Sequence, residues 1–143
     1  FFIAGLLSLW LPFMVIASET SIVGKWKTMS DVSHKVASVV KIWNYKGAYY
    51  GKVIKIYRQG GNKPTDRCVK CTGTYKNKPV LGMTFLFGMK EVSKGYYSDG
   101  KILDPKSGSV YGCNITAQGH DKLKVRGYLG FSLLGRTQYW YRS

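Results

Sequence analysis

The sequence predicts an all-β protein, an eight-stranded antiparallel up-and-down barrel. Three observations lead to this fold class. After residue 21, runs of apolar, β-branched and aromatic residues recur along the chain. Most of these runs are separated by Gly, Asn and Asp, and helical periodicity is almost absent. Most links between consecutive runs are short, which is typical of strands that pair in sequence order and close into a barrel.

The runs and the turn residues between them define the expected elements. The predicted strands are residues 22–29, 37–44, 48–57, 81–88, 96–103, 109–117, 121–130 and 134–142. Three segments predict turns: "YKGA" (45–48), "DPKSG" (104–108), where Pro105 presets φ, and "QGHD" (118–121). "SDG" (98–100) predicts a bend or bulge inside the fifth strand.

Residues 1–17 have the composition of an export signal. The first 18 residues, "FFIAGLLSLWLPFMVIAS", carry no charge and end in small residues, and cleavage after Ala17 would place Val15 and Ala17 where small residues are favoured. An uncleaved membrane anchor is the alternative, although 18 apolar residues that include Pro12 are short for a span. We therefore expect a cleaved signal peptide at 1–17, one barrel domain at 18–143, and a secreted or periplasmic protein.

The charge of the chain is strongly positive. The 22 Lys and Arg exceed the seven Asp and Glu by 15, and all of these residues follow the leader. Such a field favours anionic partners, whether lipid headgroups, polysaccharide, nucleic acid or an acidic small molecule. The alternative is a surface that uses lysine for solubility. For an exported protein, nucleic acid is not an expected partner, and the oligomeric state stays open.

One link, residues 58–80, is long, polar and rich in glycine, and it contains "CVKC" (68–71). A zinc site built from Cys68, Cys71, Cys113 and His120 lacks the second Cys pair or His pair that such sites usually have. In an oxidising compartment, a structural disulfide is the simpler interpretation. Either Cys68 pairs with Cys71, or one of them pairs with Cys113. We expect no metal.

The sequence shows no catalytic constellation. The chain has two histidines, His34 and His120, and neither stands in a recognisable partnership with a Ser, Cys or carboxylate. No phosphate-binding loop accompanies its Gly-Lys pairs. We therefore predict a protein that is not an enzyme and that needs no cofactor.

The triplet "GKW" (24–26) opens the first strand. A Gly-x-Trp triplet at this place in an eight-stranded barrel is similar to the signature of lipocalins and related calycins. The resemblance implies that Trp26 plugs the closed end and that an arginine from the last strand covers its ring. "LLGRTQYWYR" (133–142) supplies that partner. Arg136 is the first choice and Arg142 the second, with Gly24, Trp26 and Arg136 closing the barrel.

Longer segments make the resemblance more specific. "KPVLGM", "GKILDPKSGSVYGCNIT", "DKLKVRGYLG" and "LLGRTQYWYR", together with "CVKC" followed by Gly73, resemble a family of small secreted bacterial proteins known only as a domain of unknown function. The resemblance covers nearly all of residues 22–142. It implies a lipocalin-like barrel and export, and it assigns neither a substrate nor catalytic residues.

Alternation along the strands predicts which side chains face the barrel interior. The expected inward residues that would contact a ligand are Val40, Ile42, Met83, Phe85, Phe87, Tyr111, Val125 and Leu129. The third strand cannot be assigned a phase, because Lys52 and Lys55 have opposite parity, and a bulge or a polar pocket residue would explain this. The alternative for the whole set is a packed core, since small barrels either fill with side chains or hold one small ligand.

These observations predict a binding protein that holds a small hydrophobic or amphipathic molecule in the barrel. An anionic head group would lie at the entrance, near Lys63, Arg67 and Lys70 of the long link. The alternative function is that of a basic surface module, which binds an anionic polymer or membrane surface without a ligand in the cavity.

Overall fold

The computed structural model describes residues 5, 9–12, 21–57, 67–129 and 135–143, and these contain eight β-strands and one short 3₁₀ helix. The strands are β1 Gly24–Met29, β2 Val36–Tyr45, β3 Ala48–Ile56, β4 Thr84–Ser93, β5 Tyr96–Leu103, β6 Val110–Ala117, β7 Lys122–Tyr128 and β8 Gly135–Arg142. The 3₁₀ helix, Gly73–Tyr75, lies in the connection between β3 and β4. No helix among these residues has the length and hydropathy that crossing a membrane requires.

Each strand pairs antiparallel with the next one along the chain, and β8 pairs with β1 to close the barrel. The predicted fold class is therefore confirmed. The turn between β2 and β3 shows why the short links suffice. Lys46 and Gly47 have positive φ values of 51° and 84°, the backbone that a two-residue hairpin requires.

The fourth strand differs most from its predicted bounds. It was expected at residues 81–88, and β4 instead continues to Ser93 through pairs such as Glu91 opposite Tyr97 of β5. The last residues of β4 are largely polar, so the sequence has no apolar run there from which the strand could be predicted. Backbone pairing with β5 holds these residues in the strand. The expected irregularity at 98–100 is present, because the pairing of β5 with β6 shifts between Tyr97 and Gly100.

A bulge in β3 explains the two lysines of opposite parity. Val39 of β2 lies opposite Lys55, whereas Val40 lies opposite Val53, so one extra residue is accommodated in β3 between them. Because the extra residue reverses the alternation, Lys52 and Lys55 both reach the outside of the barrel while Val53 is buried.

Buried side chains fill the end of the barrel at which β1 begins and β8 ends. Fully buried residues of this end include Trp26, Ile42, Met89, Tyr97, Ile115 and Leu123. The Trp26 indole nitrogen donates to the Ile22 carbonyl at 2.9 Å. This end of the barrel is therefore a packed core, as the lipocalin resemblance implied for Trp26.

Arg142, and not Arg136, covers the Trp26 ring. The Arg142 guanidinium carbon lies 4.0 Å from the ring centroid. Its nitrogens donate to the carbonyls of Val23 at 2.9 Å and His120 at 2.8 Å. The prediction of Arg136 was wrong because β1 and β8 are antiparallel, so the residue beside the start of β1 is the last of β8. Arg136 lies six residues of strand away, about 20 Å.

Gly24 makes room for this arginine. Its φ is +133°, and a Cβ at this position would lie 2.7 Å from the Arg142 Nη1 atom. The glycine of the Gly-x-Trp triplet is therefore required both by its backbone conformation and by the close approach of the guanidinium.

We expect the Trp26–Arg142 contact to appear as a coupling in a double-mutant cycle. Trp26→Ala should destabilise the fold by about 3–5 kcal/mol, as for other large buried aromatics. Arg142→Ala should cost less, and the double variant should lose about 0.5–2 kcal/mol less than the sum of the single losses, because both remove one contact. Urea unfolding of the four proteins measures this, with Arg142→Lys as the variant that keeps charge but loses the planar stack. Additive losses would show that the contact contributes nothing.

Candidate functional site

A cavity of about 1030 Å³ occupies the other half of the barrel. All eight strands contribute lining residues, and the cavity reaches the end where the β1–β2, β3–β4, β5–β6 and β7–β8 connections lie. Its volume is at the upper end of the range for small-molecule sites. The barrel is thus packed at one end and hollow at the other.

Five of the eight predicted ligand-contacting residues line this cavity: Val40, Phe85, Tyr111, Val125 and Leu129. Leu129 lies at the rim, where it is 57% exposed. Val53 and Trp140 complete the apolar wall, and the Trp140 ring packs against Phe85 with centroids 5.9 Å apart. The wall is therefore apolar and aromatic, as the alternation of the strands predicted.

The other three predicted residues, Ile42, Met83 and Phe87, do not line the cavity. Ile42 is fully buried in the packed end, and Met83 is buried just before β4. Phe87 packs edge to face against Tyr75 of the 3₁₀ helix, with centroids 5.9 Å apart.

An extra residue in β4 explains the error at Phe87. Gly51 of β3 lies opposite Leu86, and the next residue, Lys52, lies opposite Thr84. Phe85 is thus the extra residue of a bulge, and Phe85 and Leu86 are both buried. The parity of β4 is therefore reversed at Leu86 and Phe87, and a second shift before Met89 restores it. A segment that is apolar on both faces does not reveal such shifts.

A polar strip crosses the apolar wall on β8. Alternate residues Arg136, Gln138 and Trp140 all line the cavity. Arg136 Nη1 lies 2.9 Å from the Asp31 carboxylate oxygen Oδ2, and Gln138 Nε2 donates to the same oxygen at 3.3 Å. Trp140 Nε1 donates to Gln138 Oε1 at 3.5 Å. The strip links the rim to the base of the cavity through one chain of polar contacts.

The two predicted entrance residues that the structure describes, Arg67 and Lys70, lie away from the cavity. Lys63 falls outside the described residues. Arg67 and Lys70 are exposed in the β3–β4 connection and do not line the cavity, and Arg67 Nη1 donates to the Asn77 carbonyl at 2.9 Å.

Other charged residues surround the mouth instead. The described charged residues that line the cavity are Asp31, Lys35, Asp104, Lys106 and Arg136. These five described residues, three cations and two carboxylates, together carry a small positive charge. Arg136 and Gln138 could have been found from the sequence by counting back in steps of two from Trp140. Asp31 and Lys106 lie on turns, where no periodicity exists to assign them.

The outer wall carries the excess of positive charge. The strands β7, β8, β1, β2 and β3 contain no Asp or Glu. Lys25 lies directly opposite Lys41, which lies opposite Lys52, and none of the three has a described carboxylate at ion-pair distance. Like charges in such positions destabilise a sheet. Lys122 lies over the Tyr139 ring, 4.6 Å from its centroid.

Cys68 and Cys71 form a disulfide within the β3–β4 connection, and Cys113 is a free thiol. Cys68 Sγ lies 3.4 Å from the Pro105 carbonyl oxygen, so this connection packs against the β5–β6 turn. Burial raises the pKa of the Cys113 thiol to about 12. Among the described residues, no group of three or more His, Cys, Asp and Glu side chains is arranged to hold a metal ion.

We expect Cys113 to resist alkylation in the folded protein. Its thiol is fully buried, and its raised pKa keeps it protonated at pH 8, where only the thiolate reacts. Iodoacetamide at pH 8 should label Cys113 in denaturant but not in buffer, and mapping without reduction should find Cys68 joined to Cys71. Labelling of Cys113 in buffer, or a Cys113 disulfide, would contradict the assignment.

The closed barrel, its Trp26–Arg142 plug and its hollow half define a lipocalin-like protein. The chain is similar to the structure titled "Protein HP1028 from the human pathogen Helicobacter pylori belongs to the lipocalin family", with a TM-score of 0.73 and 20% identity over 86% of this chain and 83% of that one. At this identity the similarity shows the fold alone.

The family follows from the sequence comparison. The family model "Uncharacterized protein conserved in bacteria (DUF2147)" matches residues 24–142. The chain therefore belongs to this bacterial family, whose model spans the barrel from β1 to the end of β8, as the sequence resemblance indicated. No curated protein gives a significant match to the chain.

Proposed function

We propose that the protein binds a small amphipathic molecule in the barrel and is not an enzyme. The observation that carries this proposal is the cavity of about 1030 Å³, which is open at one end and lined by an apolar wall with one polar strip. Such a combination is typical of small-molecule sites, in which apolar area gives affinity and a few polar groups fix orientation.

The apolar wall supplies the main driving force. Each 100 Å² of apolar surface removed from water contributes about 2.5 kcal/mol before the costs of association are subtracted. Val40, Val53, Phe85, Val125 and Trp140 offer this surface, and they are themselves buried within the barrel. An apolar tail would therefore lie deep, and a polar head would stay near the rim.

We further propose that the protein works outside the cytoplasm. Two features support this location: the uncharged apolar leader at residues 1–17 and the disulfide between Cys68 and Cys71. Disulfides persist mainly in oxidising compartments such as the periplasm and the extracellular space. Reading the N-terminus of the protein isolated from its own host would test cleavage after Ala17.

We expect a bulky residue in the apolar wall to block binding. The neutral fluorescent probe N-phenyl-1-naphthylamine should bind the unchanged protein with enhanced emission. Val125→Trp fills the cavity and should weaken this binding by about tenfold or more, which corresponds to 1.4 kcal/mol. Val92→Trp is the matched control, because Val92 is exposed on β4 outside the cavity.

The outcome separates cavity binding from adsorption to the surface. Equal loss in both variants, or no loss in Val125→Trp with unchanged folding by circular dichroism, would place the probe elsewhere. Native mass spectrometry of protein purified from its own host would then show whether a small molecule accompanies it.

A second function that we propose is binding of the outer wall to an anionic surface. The observation behind it is the row Lys25–Lys41–Lys52, in which like charges face one another on three neighbouring strands. An anionic surface would remove this repulsion. The attraction should depend on salt, because exposed charges are screened over about 10 Å at 0.1 M.

We expect substitution of this row to weaken anion binding. The triple variant Lys25→Gln/Lys41→Gln/Lys52→Gln should lose on the order of a hundredfold in affinity for phosphatidylglycerol vesicles at low salt, since each lysine near such a surface contributes about 1 kcal/mol. The control triple Lys90→Gln/Lys94→Gln/Lys101→Gln removes equal charge from β4, the β4–β5 turn and β5, outside the row. Equal effects of the two variants would mean that net charge alone drives binding and that the row has no special role.

A further inference from the structure

The cavity wall holds a carboxylate that belongs to the protein itself. The Asp31 Oδ2 atom lies 2.9 Å from Arg136 Nη1 and 3.3 Å from Gln138 Nε2. Both donors are on β8, two residues apart, and both line the cavity together with Asp31. One guanidinium and one amide therefore converge on a single carboxylate oxygen.

Trp140, deeper in the cavity wall, orients the Gln138 amide. The Trp140 indole donates to Gln138 Oε1 at 3.5 Å, and Trp140 is fixed by full burial in the barrel. With its oxygen engaged by this indole, the Gln138 amide presents its NH₂ group toward the rim. This hydrogen-bond pattern assigns the amide orientation and suits an acceptor placed between Gln138 and Arg136.

The Asp31 side chain can leave this place at little cost. The Arg136 and Asp31 side chains are 65% and 47% exposed, and ion pairs of such exposure contribute about 0–1 kcal/mol. The turn that carries Asp31 is held by its own backbone bonds, Ser30 N to Lys35 O at 2.8 Å and His34 N to Ser30 O at 3.0 Å. A side-chain rotation of Asp31 therefore frees both donors without unfolding the turn.

We propose that Arg136 and Gln138 bind the carboxylate of an amphipathic acid, and that Asp31 competes with this ligand for the same donors. The inference rests on the proposed function, and it names the ligand class as a carboxylate with an apolar tail. Along β8, Arg136 is four residues from Trp140, about 13 Å. A tail attached at Arg136 would thus run down the apolar wall toward the Trp140 ring.

This competition predicts that the site distinguishes an acid from a neutral alcohol with the same tail. An acid replaces the Asp31 carboxylate with its own, so the charge on Arg136 stays balanced. A neutral alcohol with the same tail cannot displace Asp31 and gains only the apolar contacts. Hydrogen bonds to a charged group contribute more to binding than hydrogen bonds between neutral groups. Substitutions of Asp31 and Arg136 should therefore change the affinity for the acid and leave the affinity for the alcohol almost unchanged.

Decanoate and decanol, competing with N-phenyl-1-naphthylamine, test this rule. Asp31→Asn should raise decanoate affinity by about two- to fivefold, because the competing ion pair is exposed and weak. Arg136→Gln should lower decanoate affinity by about three- to tenfold, the size of a charge-assisted hydrogen bond reduced by exposure to solvent. Decanol affinity should change by less than about twofold in both variants. Lys101→Gln, an exposed lysine on β5 outside the cavity, is the control for loss of one positive charge.

A double variant with the two charges exchanged controls for effects of the single substitutions on folding. Asp31→Arg/Arg136→Asp keeps opposite charges at both positions but places a carboxylate on the wall. It should bind decanol as the unchanged protein does and should lose its preference for decanoate. If the swap instead keeps that preference, Arg136 is not the recognition group.

The failures of the two proposals can be told apart. If the probe and decanol do not bind the unchanged protein, the proposed function fails, and this inference fails with it. If they bind, and Asp31→Asn and Arg136→Gln change decanoate and decanol equally or change neither, only the carboxylate inference is overturned.

Discussion

The barrel depends on the contact between Arg142 and Trp26. β1 and β8 share a short seam in which Trp26 faces Arg142 and Lys27 faces Tyr141. The Arg142 side chain strengthens this seam by stacking on the indole and by donating to carbonyls of the segment before β1 and of the β6–β7 turn. Desolvation lowers the pKa of Arg142, yet an arginine stays protonated at any pH at which the protein folds. One cation thus joins the two ends of the sheet and closes the floor of the barrel.

A closed floor lets the other half of the barrel stay hollow. Large side chains, including Met89 and Tyr97, belong to the same buried cluster as Trp26. Toward the rim the inward positions carry smaller residues such as Ser38, Gly127 and Thr28, which line the cavity. Thr28 and Ser38 share a hydroxyl hydrogen bond of 2.5 Å across β1 and β2, so their polar atoms are satisfied within the wall. Small inward residues at these positions leave part of the binding space, which larger side chains such as Phe85 and Trp140 also line.

The sequence predicted the fold well because alternation and turn chemistry are local signals. β7 shows this best, since Lys122 and Lys124 alternate with buried Leu123 and Val125. The site was harder to predict, for two physical reasons. A bulge adds one residue and reverses parity, which placed Phe87 wrongly, and it leaves no mark in a run that is apolar on both faces. The pairing of Asp31 with Arg136 joins a turn to a strand far along the chain, and only the closed barrel brings the two together.

The distribution of charge separates attraction from recognition. The lysines of the outer wall create a long-range field that concentrates anions near the protein, and this field acts on encounter more than on final affinity. Among the described residues that line the rim, Asp31 and Asp104 offset much of the charge of Lys35, Lys106 and Arg136. A bound head group would therefore be selected by individual donors, and not by net charge. For the proposed acid, the strongly basic surface would then set how often the ligand arrives, and the individual donors at the mouth would set whether it stays.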